Sequence, residues 1–169
     1  MSRIAYIGID PGIYGAIARY TIDDEDPDWC ALEVEPMPVN EIRRGKTLKK
    51  WVDPNLVATV ISAYEEETAF VQLEAVGASP QMGVTSSFSF GRSFGVVEGV
   101  VAGMEIPIKY VQPSTWKRAV GIKLRASKDE SRMVASQIWP EWSHLWPLKK
   151  DDGKAEAMLL AYYGAITHG

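Results

Sequence analysis

The chain has very few of the residues that build disulfides or soft-metal sites. Its 169 residues include one cysteine, Cys30, and two histidines, His144 and His168. A lone cysteine excludes an intramolecular disulfide, and one thiol with two distant imidazoles gives too few ligands for a structural zinc ion. We therefore expect Cys30 to be a free thiol in the core.

Long hydrophobic runs are also missing. No apolar run approaches the roughly 18 residues that crossing a bilayer requires, and the N-terminal Met-Ser-Arg-Ile-Ala-Tyr has no signal-peptide pattern. The hydrophobic fraction of 46% and the charged fraction of 24% are ordinary for a globular protein. We expect one domain over residues 1–169, cytoplasmic and without membrane contact.

An excess of positive charge is the third absence, since the net charge is −4. This value argues mildly against a nucleic-acid partner, but it averages over all faces. Two segments are locally basic: "EIRRGKTLKK" (41–50) and "KRAVGIKLRASK" (117–128). Each is typical either of a solvated face or of a nucleic-acid contact.

The pattern of apolar residues predicts an α/β fold. Three strands form a meander, a helix follows the Asp53-Pro54 cap, and later strands alternate with helices. This order favours a mixed sheet of five strands, an antiparallel meander plus parallel members, flanked by helices. The predicted strands are 3–10, 14–20, 29–37, 69–76 and 107–113, and the later helices cover 86–103 and much of 149–169.

Glycine recurs every fourth position in the predicted helix 86–103, at Gly91, Gly95, Gly99 and Gly103. Each glycine inside a helix costs about 1 kcal/mol relative to alanine, so a close approach of another backbone is expected there. The approaching partner is either the sheet, a second subunit or a nucleic-acid strand.

Four acids stand where a site can form. Asp10 ends the first predicted strand, Glu74 lies near the end of the fourth, and Asp152 and Glu156 fall about 40° apart on the last helix. Like charges four residues apart are unfavourable unless a positive group lies between them. Asp151 lies on another face and suits a helix cap, but it is kept as an alternative to Asp152.

An all-carboxylate set selects hard cations such as Mg²⁺ or Mn²⁺. Strand ends of an α/β sheet and a helix start can meet at one edge. Two ions at such an edge would stabilise the attacking and leaving oxygens of a phosphodiester. The acids therefore indicate metal-dependent phosphoryl-transfer hydrolysis.

The ordered motifs "GIDPG", "LEAV", "PSTWKRAVGIKLRASKDES" and "DDGKAEAMLLAYYG" resemble the RuvC family of Holliday-junction resolvases, within the RNase H-like nucleases. The likeness is greatest to the small enzymes of phages and prophages and covers residues 4–167. One departure is that the family closes its acid set with two residues three apart, whereas Asp152 and Glu156 are four apart.

The resemblance implies an RNase H-like fold and a homodimer that resolves four-way junctions by paired nicks, leaving 5′-phosphates. It makes Asp10, Glu74, Asp152 and Glu156 the metal-binding catalytic acids, with two Mg²⁺ or Mn²⁺ ions per site. Two lysines, Lys117 and Lys128, match the basic residues of the active region.

Candidate DNA contacts follow from the two basic segments and from the aromatic region after Glu74. The residues are Arg43, Arg44, Lys46, Lys49, Lys50, Phe88, Phe90, Arg92, Lys117, Arg118, Lys123, Arg125 and Lys128. Phe88, Phe90 and Phe94 are either stacking residues or part of the helix core. The tryptophans Trp139, Trp142 and Trp146 are expected to pack beneath a loop.

Three other functions compete with the resolvase. Actin-like and Hsp70-like ATPases also begin with Gly-Ile-Asp-x-Gly, but they need two such domains and a second phosphate loop, for which this chain is too short. A branched-DNA binding module without catalysis would gain nothing from clustered acids beside phosphates. A nuclease for flaps, forks or RNA-containing duplexes would use the same acids and stays open.

Overall fold

The computed structural model describes residues 3–63, 68–75, 77, 81–123, 127 and 129–168, with Arg44 described by its backbone. These described residues form seven strands: β1 (Arg3–Asp10), β2 (Ala16–Asp23), β3 (Cys30–Pro36), β4 (Val39–Arg44), β5 (Thr47–Val52), β6 (Thr68–Glu74) and β7 (Ile108–Val111). The helices are α1 (Pro54–Ser62), α2 (Val84–Gly103), α3 (Pro113–Ala119), α4 (Asp129–Ile138) and α5 (Asp152–Thr167).

Five strands form one mixed sheet in the order β3-β2-β1-β6-β7. The first three pair antiparallel, and β6 and β7 join β1 in parallel register. This arrangement confirms the predicted α/β fold and the meander. The strands β4 and β5 form a separate hairpin.

The sheet carries a hydrophobic core on each face because side chains alternate along its strands. One face packs α1 and α2 against Ile7, Ile9 and Ile17, while the other packs α5 against Ala16 and Ala18. The second core also holds the tryptophans. Trp139 and Trp146 are buried there and Trp142 packs at its edge, which confirms the packing interpretation.

Close contact between α5 and β1 depends on Gly8. A Cβ at this position would lie 2.0 Å from the Ala157 carbonyl oxygen and 2.5 Å from the Ala161 nitrogen. Both neighbours are backbone atoms, which cannot rotate away. Gly8 therefore lets the helix lie directly on the strand, and this contact sets the height of α5 above the sheet.

Several predicted boundaries need correction. The strand β2 starts at Ala16 and not at residue 14, because a turn with a Gly15 to Gly12 hydrogen bond of 2.8 Å occupies the positions before it. The basic segment 41–50, for which no strand was predicted, forms most of the β4–β5 hairpin. Its turn includes Gly45, whose φ of +62° favours glycine.

The expectation that the glycine stripe of α2 packs on the sheet is wrong. A Cβ added at Gly91, Gly95, Gly99 or Gly103 would meet no atom within 4 Å in the described part of the chain. The buried residues of α2 are instead Ser93, Val97 and Val101, on the opposite side of the helix. The stripe thus faces outward, which leaves the subunit seam and the nucleic-acid path as its interpretations.

Across the residues that the structure describes, no helix is both long enough and apolar enough to cross a bilayer.

Candidate active site

Asp10 and Glu74 lie side by side at one edge of the sheet. The parallel register of β1 and β6 pairs Ile9 with Leu73, so the next residue of each strand is an acid. Ile9 and Leu73 belong to the core under α1 and α2. Alternation along the strands therefore turns both carboxylates toward the opposite face, where α5 packs.

The turn after β1 holds the Asp10 carboxylate in place. Gly12 donates its backbone N–H to Asp10 Oδ1 at 3.2 Å. A Cβ on Gly15 would lie 2.2 Å from the Asp10 carbonyl oxygen and 2.7 Å from its Cγ. Glycine at position 15 is thus required for the chain to fold back tightly around the acid.

The start of α5 rests on this turn and brings the second pair of acids. A Cβ on Gly153 would lie 2.7 Å from the Tyr14 carbonyl oxygen, so glycine permits the contact. Asp152, immediately before it, lines the cleft beside Asp10, and Glu156 lies one turn further along.

Asp151 is engaged elsewhere. It is 8% exposed, its Oδ2 accepts the Leu148 N–H at 2.9 Å, and its Oδ1 lies 3.6 Å from Lys154 Nζ. Asp151 is the N-cap residue of α5, but its side chain makes no cap hydrogen bond to that helix and instead closes the 3-10 turn Lys149–Asp151 before it. Asp152 is consequently the acid of this pair that the fold places in the cleft.

The short helix α3 supplies partners for two of the acids from consecutive residues. The Trp116 indole donates Nε1–H to Glu74 Oε1 at 3.0 Å, and Lys117 Nζ lies 2.8 Å from Glu156 Oε1. Ser131 of α4 also donates its hydroxyl to Glu156 Oε1, at 3.0 Å. Lys117 therefore supplies a positive charge to Glu156, one member of the Asp152–Glu156 pair.

Burial and mutual repulsion perturb the two strand-end acids. The pKa of Asp10 is raised to about 6, chiefly by burial and also by the charges of Glu156 and Asp152, while the Gly12 hydrogen bond and Lys117 oppose the rise. Burial also raises the pKa of Glu74 to about 7, and the charge of Asp10 adds to this effect. The site therefore gathers more negative charge than its neighbours neutralise.

The chemistry of this donor set fits a hard divalent cation. Carboxylate oxygens are the ligands that Mg²⁺ and Mn²⁺ prefer, and a cation would relieve the repulsion that raises the pKa of Asp10 and Glu74. No group of three acidic, histidine or cysteine side chains among the described residues is arranged to enclose an ion by itself. The carboxylates share one electrostatic environment without forming a finished cage.

An open cleft of about 600 Å³ exposes three of these acids, Asp10, Asp152 and Glu156. Its rim carries Lys117, Lys150, Phe90 and Tyr14, and the Tyr14 side chain is 80% exposed. Tyr14, Lys150 and Ser131 are absent from the sequence-based set of site residues. Tyr14 alone had a visible sign in the sequence, an aromatic residue inside a glycine-bounded turn.

The fold was compared with solved structures. The T. thermophilus RuvC in complex with a Holliday junction substrate aligns with 99% of this chain and 97% of its own, at a TM-score of 0.58 and 16% identity. The chain has the RuvC fold. A second Thermus thermophilus RuvC structure aligns at a TM-score of 0.56 and 15% identity, covering 97% of this chain and 95% of that one.

The yeast mitochondrial Holliday junction resolvase is also similar, at a TM-score of 0.50 and 14% identity, with 96% of this chain and 77% of that chain covered. No family model and no curated protein sequence matches the chain. The resemblance to RuvC that the motifs predicted is thus confirmed at the level of the fold.

On this RuvC fold, the predicted DNA contacts lie in three regions. The β4–β5 hairpin carries Arg43, Arg44, Lys46, Lys49 and Lys50. The α2 helix carries Phe88, Phe90 and Arg92, and the region of α3 carries Lys117, Arg118 and Lys123. Arg125 and Lys128 lie outside the described residues, as does the Arg44 side chain.

The three phenylalanines of α2 differ in environment. Phe88 is 74% exposed, so its side chain is not part of the core. Phe90 lines the cleft, and Phe94 packs on the core under α2 with its ring 6.4 Å from Tyr110. Core packing accounts for Phe94, while Phe88 and Phe90 are accessible to a partner.

Proposed function

We propose that this chain is a metal-dependent, structure-selective DNA endonuclease that resolves four-way junctions by paired nicks with 5′-phosphate products. The observation that carries the proposal is that Asp10, Asp152, Glu156 and Lys117 line one cleft, with Glu74 buried beside Asp10. Similarity in fold to a RuvC bound to a Holliday junction substrate supports the choice of substrate.

Asp10, Glu74, Asp152 and Glu156 would hold the cations, Mg²⁺ or Mn²⁺ and two per site. The chemistry that such ions supply when bound is polarisation of the phosphodiester and stabilisation of charge on its entering and leaving oxygens. The buried setting of Asp10 and Glu74 favours this role, since electrostatic interactions are stronger in a site of low dielectric.

Lys117 would position the scissile phosphate. Its ammonium lies at the cleft and 2.8 Å from Glu156 Oε1, a contact that orients the flexible side chain. A point charge on a flexible stem suits a phosphate oxygen. Lys128, the second basic residue implied by the resemblance, is proposed for the same task. Trp116 would hold Glu74 in its observed orientation through the indole N–H.

Exposed residues around the cleft would bind the rest of the DNA. Arg118 and Lys123 are exposed beyond Lys117, and Phe90 offers an aromatic face on the other side of the cleft, whereas Phe88 falls about 160° from Phe90 around α2 and faces away from the cleft. Lysine and arginine would contact phosphates, and Phe90 would stack on a base opened at the branch point.

A homodimer is part of the proposal because paired nicks need two active sites. The glycine stripe of α2 gives it a candidate seam. At 100° per residue, Val84 and Phe88 fall within about 20° of Gly95, so two exposed apolar side chains extend the stripe. A second copy of α2 could approach closely along this face, as small residues allow.

The test is a panel of labelled four-way junctions, forks, flaps, hybrid duplexes and linear duplex, each with Mg²⁺, Mn²⁺ or EDTA. We expect symmetric cutting of junctions that requires the metal. Equal cutting of linear duplex would refute junction selectivity. Junction binding without cleavage under every condition would favour the non-catalytic binding module instead.

The matched variant is Asp10→Asn, which keeps the shape of the side chain. We expect it to abolish cutting while junction affinity stays equal or rises, because a negative charge beside the phosphate is removed. Circular dichroism checks that the variant folds. A variant that cuts at the wild-type rate would remove Asp10 from the catalytic set.

A further inference from the structure

The β4–β5 hairpin forms a basic surface outside the central sheet. It is a two-stranded sheet of its own, and its side chains Arg43, Lys46 and Lys49 are exposed. Lys50 forms an ion pair with Glu41 across the strands. For Arg43, Lys46 and Lys49, no acidic partner is found within the described part of the chain.

One face of the hairpin forms a groove with α2. Ile42 pairs with Lys49 across the strands, and Trp51 lies two residues from Lys49 on the same face. These three residues and Arg92 line a depression of about 290 Å³. The groove therefore presents one cation from the hairpin and one from α2.

Arg92 is held in this groove by an aromatic face. Its guanidinium carbon lies 5.7 Å from the centroid of the Trp51 ring, a cation–π contact that fixes its position. The guanidinium occupies one face of the indole, and the Trp51 side chain is itself half-buried. The groove consequently offers charge rather than a stacking platform, and charge alone recognises phosphates.

The hairpin surface adjoins the active-site cleft. The pKa of Lys50 is raised mainly by the hydrogen bond to Glu41, and the nearby Tyr14 also raises it. Lys50 of the hairpin therefore lies close to Tyr14 at the cleft rim. Along α2, Phe90 lines the cleft and Arg92 lines the groove, but they fall about 160° apart around the helix, so the two regions adjoin through Lys50 and Tyr14. A bound nucleic acid can therefore contact both.

From these contacts we infer that the β4–β5 hairpin and Arg92 bind the phosphate backbone of one duplex arm beside the cleavage site. The inference rests on the proposed function and adds which part of the substrate this surface holds. Duplex backbone is favoured over a single strand because the aromatic ring that lines the groove, Trp51, is half-buried and has Arg92 over one face, whereas the groove presents two cations. The contact would be independent of sequence and sensitive to salt.

The test measures junction affinity by fluorescence anisotropy in EDTA, where no cutting occurs, for the wild type and the Lys49→Ala/Arg92→Ala double variant. Each lost phosphate contact lowers the slope of log affinity against log salt by about 0.9. Between 50 and 200 mM salt, we therefore expect the wild type to lose about tenfold more affinity than the double variant. Lys109→Ala on β7, an exposed lysine away from this surface, is the matched control and should keep the wild-type slope.

A second measurement shortens the junction arms one at a time. Removal of one particular arm should weaken the wild type and the Lys109→Ala control but leave the double variant unchanged. An equal penalty in all three proteins, or equal salt slopes, would overturn the inference. If the wild type cuts no branched substrate while the hairpin-dependent slope persists, the proposed nuclease function fails and the backbone contact stands.

Discussion

The Glu74 carboxylate combines deep burial with a neutral hydrogen-bond donor. It is 8% exposed, accepts its hydrogen bond from the Trp116 indole and lies beside Asp10 on the next strand. A neutral N–H offsets less of the desolvation of a carboxylate than a positive charge does. Holding this acid ionised is therefore a cost to the metal-free fold.

A pH-dependent loss of stability follows for the protein in EDTA. The pKa of Glu74 is about 7 in the folded chain and about 4.3 in an unfolded one, so between these values the folded state binds more protons. Stability must then fall as pH rises from about 4 to 7. The loss is on the order of a few kcal/mol, since one unit of pKa corresponds to about 1.4 kcal/mol.

The measurement is urea unfolding of the wild type and Glu74→Gln at pH 5 and pH 8. The amide keeps an oxygen for the Trp116 N–H but cannot ionise, so the variant should show a smaller decrease in unfolding free energy and exceed the wild type at pH 8. A decrease of the same size in both proteins would assign the pH dependence to other groups.

Lys117 lies at the cleft, and its loss should affect turnover more than binding. We expect Lys117→Ala to lower kcat by about a hundredfold, the size of effect found when one charge-stabilising donor is removed. The junction Kd should change by less than about threefold, because the other proposed phosphate contacts remain. Single-turnover cleavage and anisotropy separate the two, with Lys109→Ala as control. Equal losses in kcat and affinity would make Lys117 an anchor for the backbone only.

Local motifs made some of these residues predictable and left others hidden. Asp10 and Glu74 end apolar runs, so the sequence alone places them at strand ends. Ser131 and Trp116 contact acids that are 25 and 42 positions away along the chain, and no local pattern records such distances. Tyr14 lies at the cleft rim next to the start of α5, whose Gly153 packs against its backbone across the chain.

At the scale of elements, the contact between β1 and α5 determines how the acids meet. Gly8 and Asp10 face the same side of β1, and α5 crosses above Gly8 with backbone atoms in direct contact. The two acids near the start of this helix are brought to the sheet edge by the same contact. A displaced helix would therefore separate the acids as well as weaken the core.

Gly8→Ala should consequently destabilise the fold by about 3 kcal/mol or more, at the upper end of overpacking effects, because the added Cβ would clash with backbone. Surviving folded protein should also cut more slowly. Chemical unfolding and cleavage assays measure the two effects. Gly91→Ala, where the Cβ meets nothing within 4 Å, is the control and should be neutral or stabilise by up to about 1 kcal/mol. Similar stabilities for the two variants would contradict the close contact.

Elements with strong periodicity were predictable and elements set by distant contacts were not. The apolar pattern located α2 within two residues of its observed start. The hairpin was missed because its strands carry charge on both faces and pack little apolar surface, so no alternation marks them. The outward direction of the glycine stripe could not be predicted either. A helical wheel gives the angle between residues but not which side of the helix packs on the sheet.

For the whole molecule, net charge says little about the partner. The chain carries −4 overall, yet the hairpin has several exposed cations, and Lys117 and Lys150 line the cleft. The negative total therefore does not describe the charge of the proposed DNA-binding surface. Fold topology was easier to predict from the sequence than the distribution of surface charge. The order of strands and helices constrains the sheet, whereas the placement of surface cations depends on tertiary contacts.

The oligomeric state of the whole molecule can also be tested, because α2 has a candidate subunit face. The outward face of α2 combines the exposed Val84 and Phe88 with glycines that leave the backbone bare, and a second copy would bury this apolar surface. We expect wild-type mass near twice 18.7 kDa in sedimentation equilibrium. Gly95→Leu or Gly99→Leu should give folded monomers, because a bulky side chain blocks close approach of the helices.

Cutting of a supercoiled plasmid with an extruded cruciform reads out the same assembly. A dimer makes both nicks within one encounter and yields linear plasmid, whereas a monomer releases nicked circles. The glycine variants should therefore shift the product from linear to nicked, and Ser62→Leu, at the exposed end of α1, should not. If both glycine variants keep the dimeric mass and still yield linear plasmid, the subunit seam does not lie on α2. The two active sites would then have to be paired through another face.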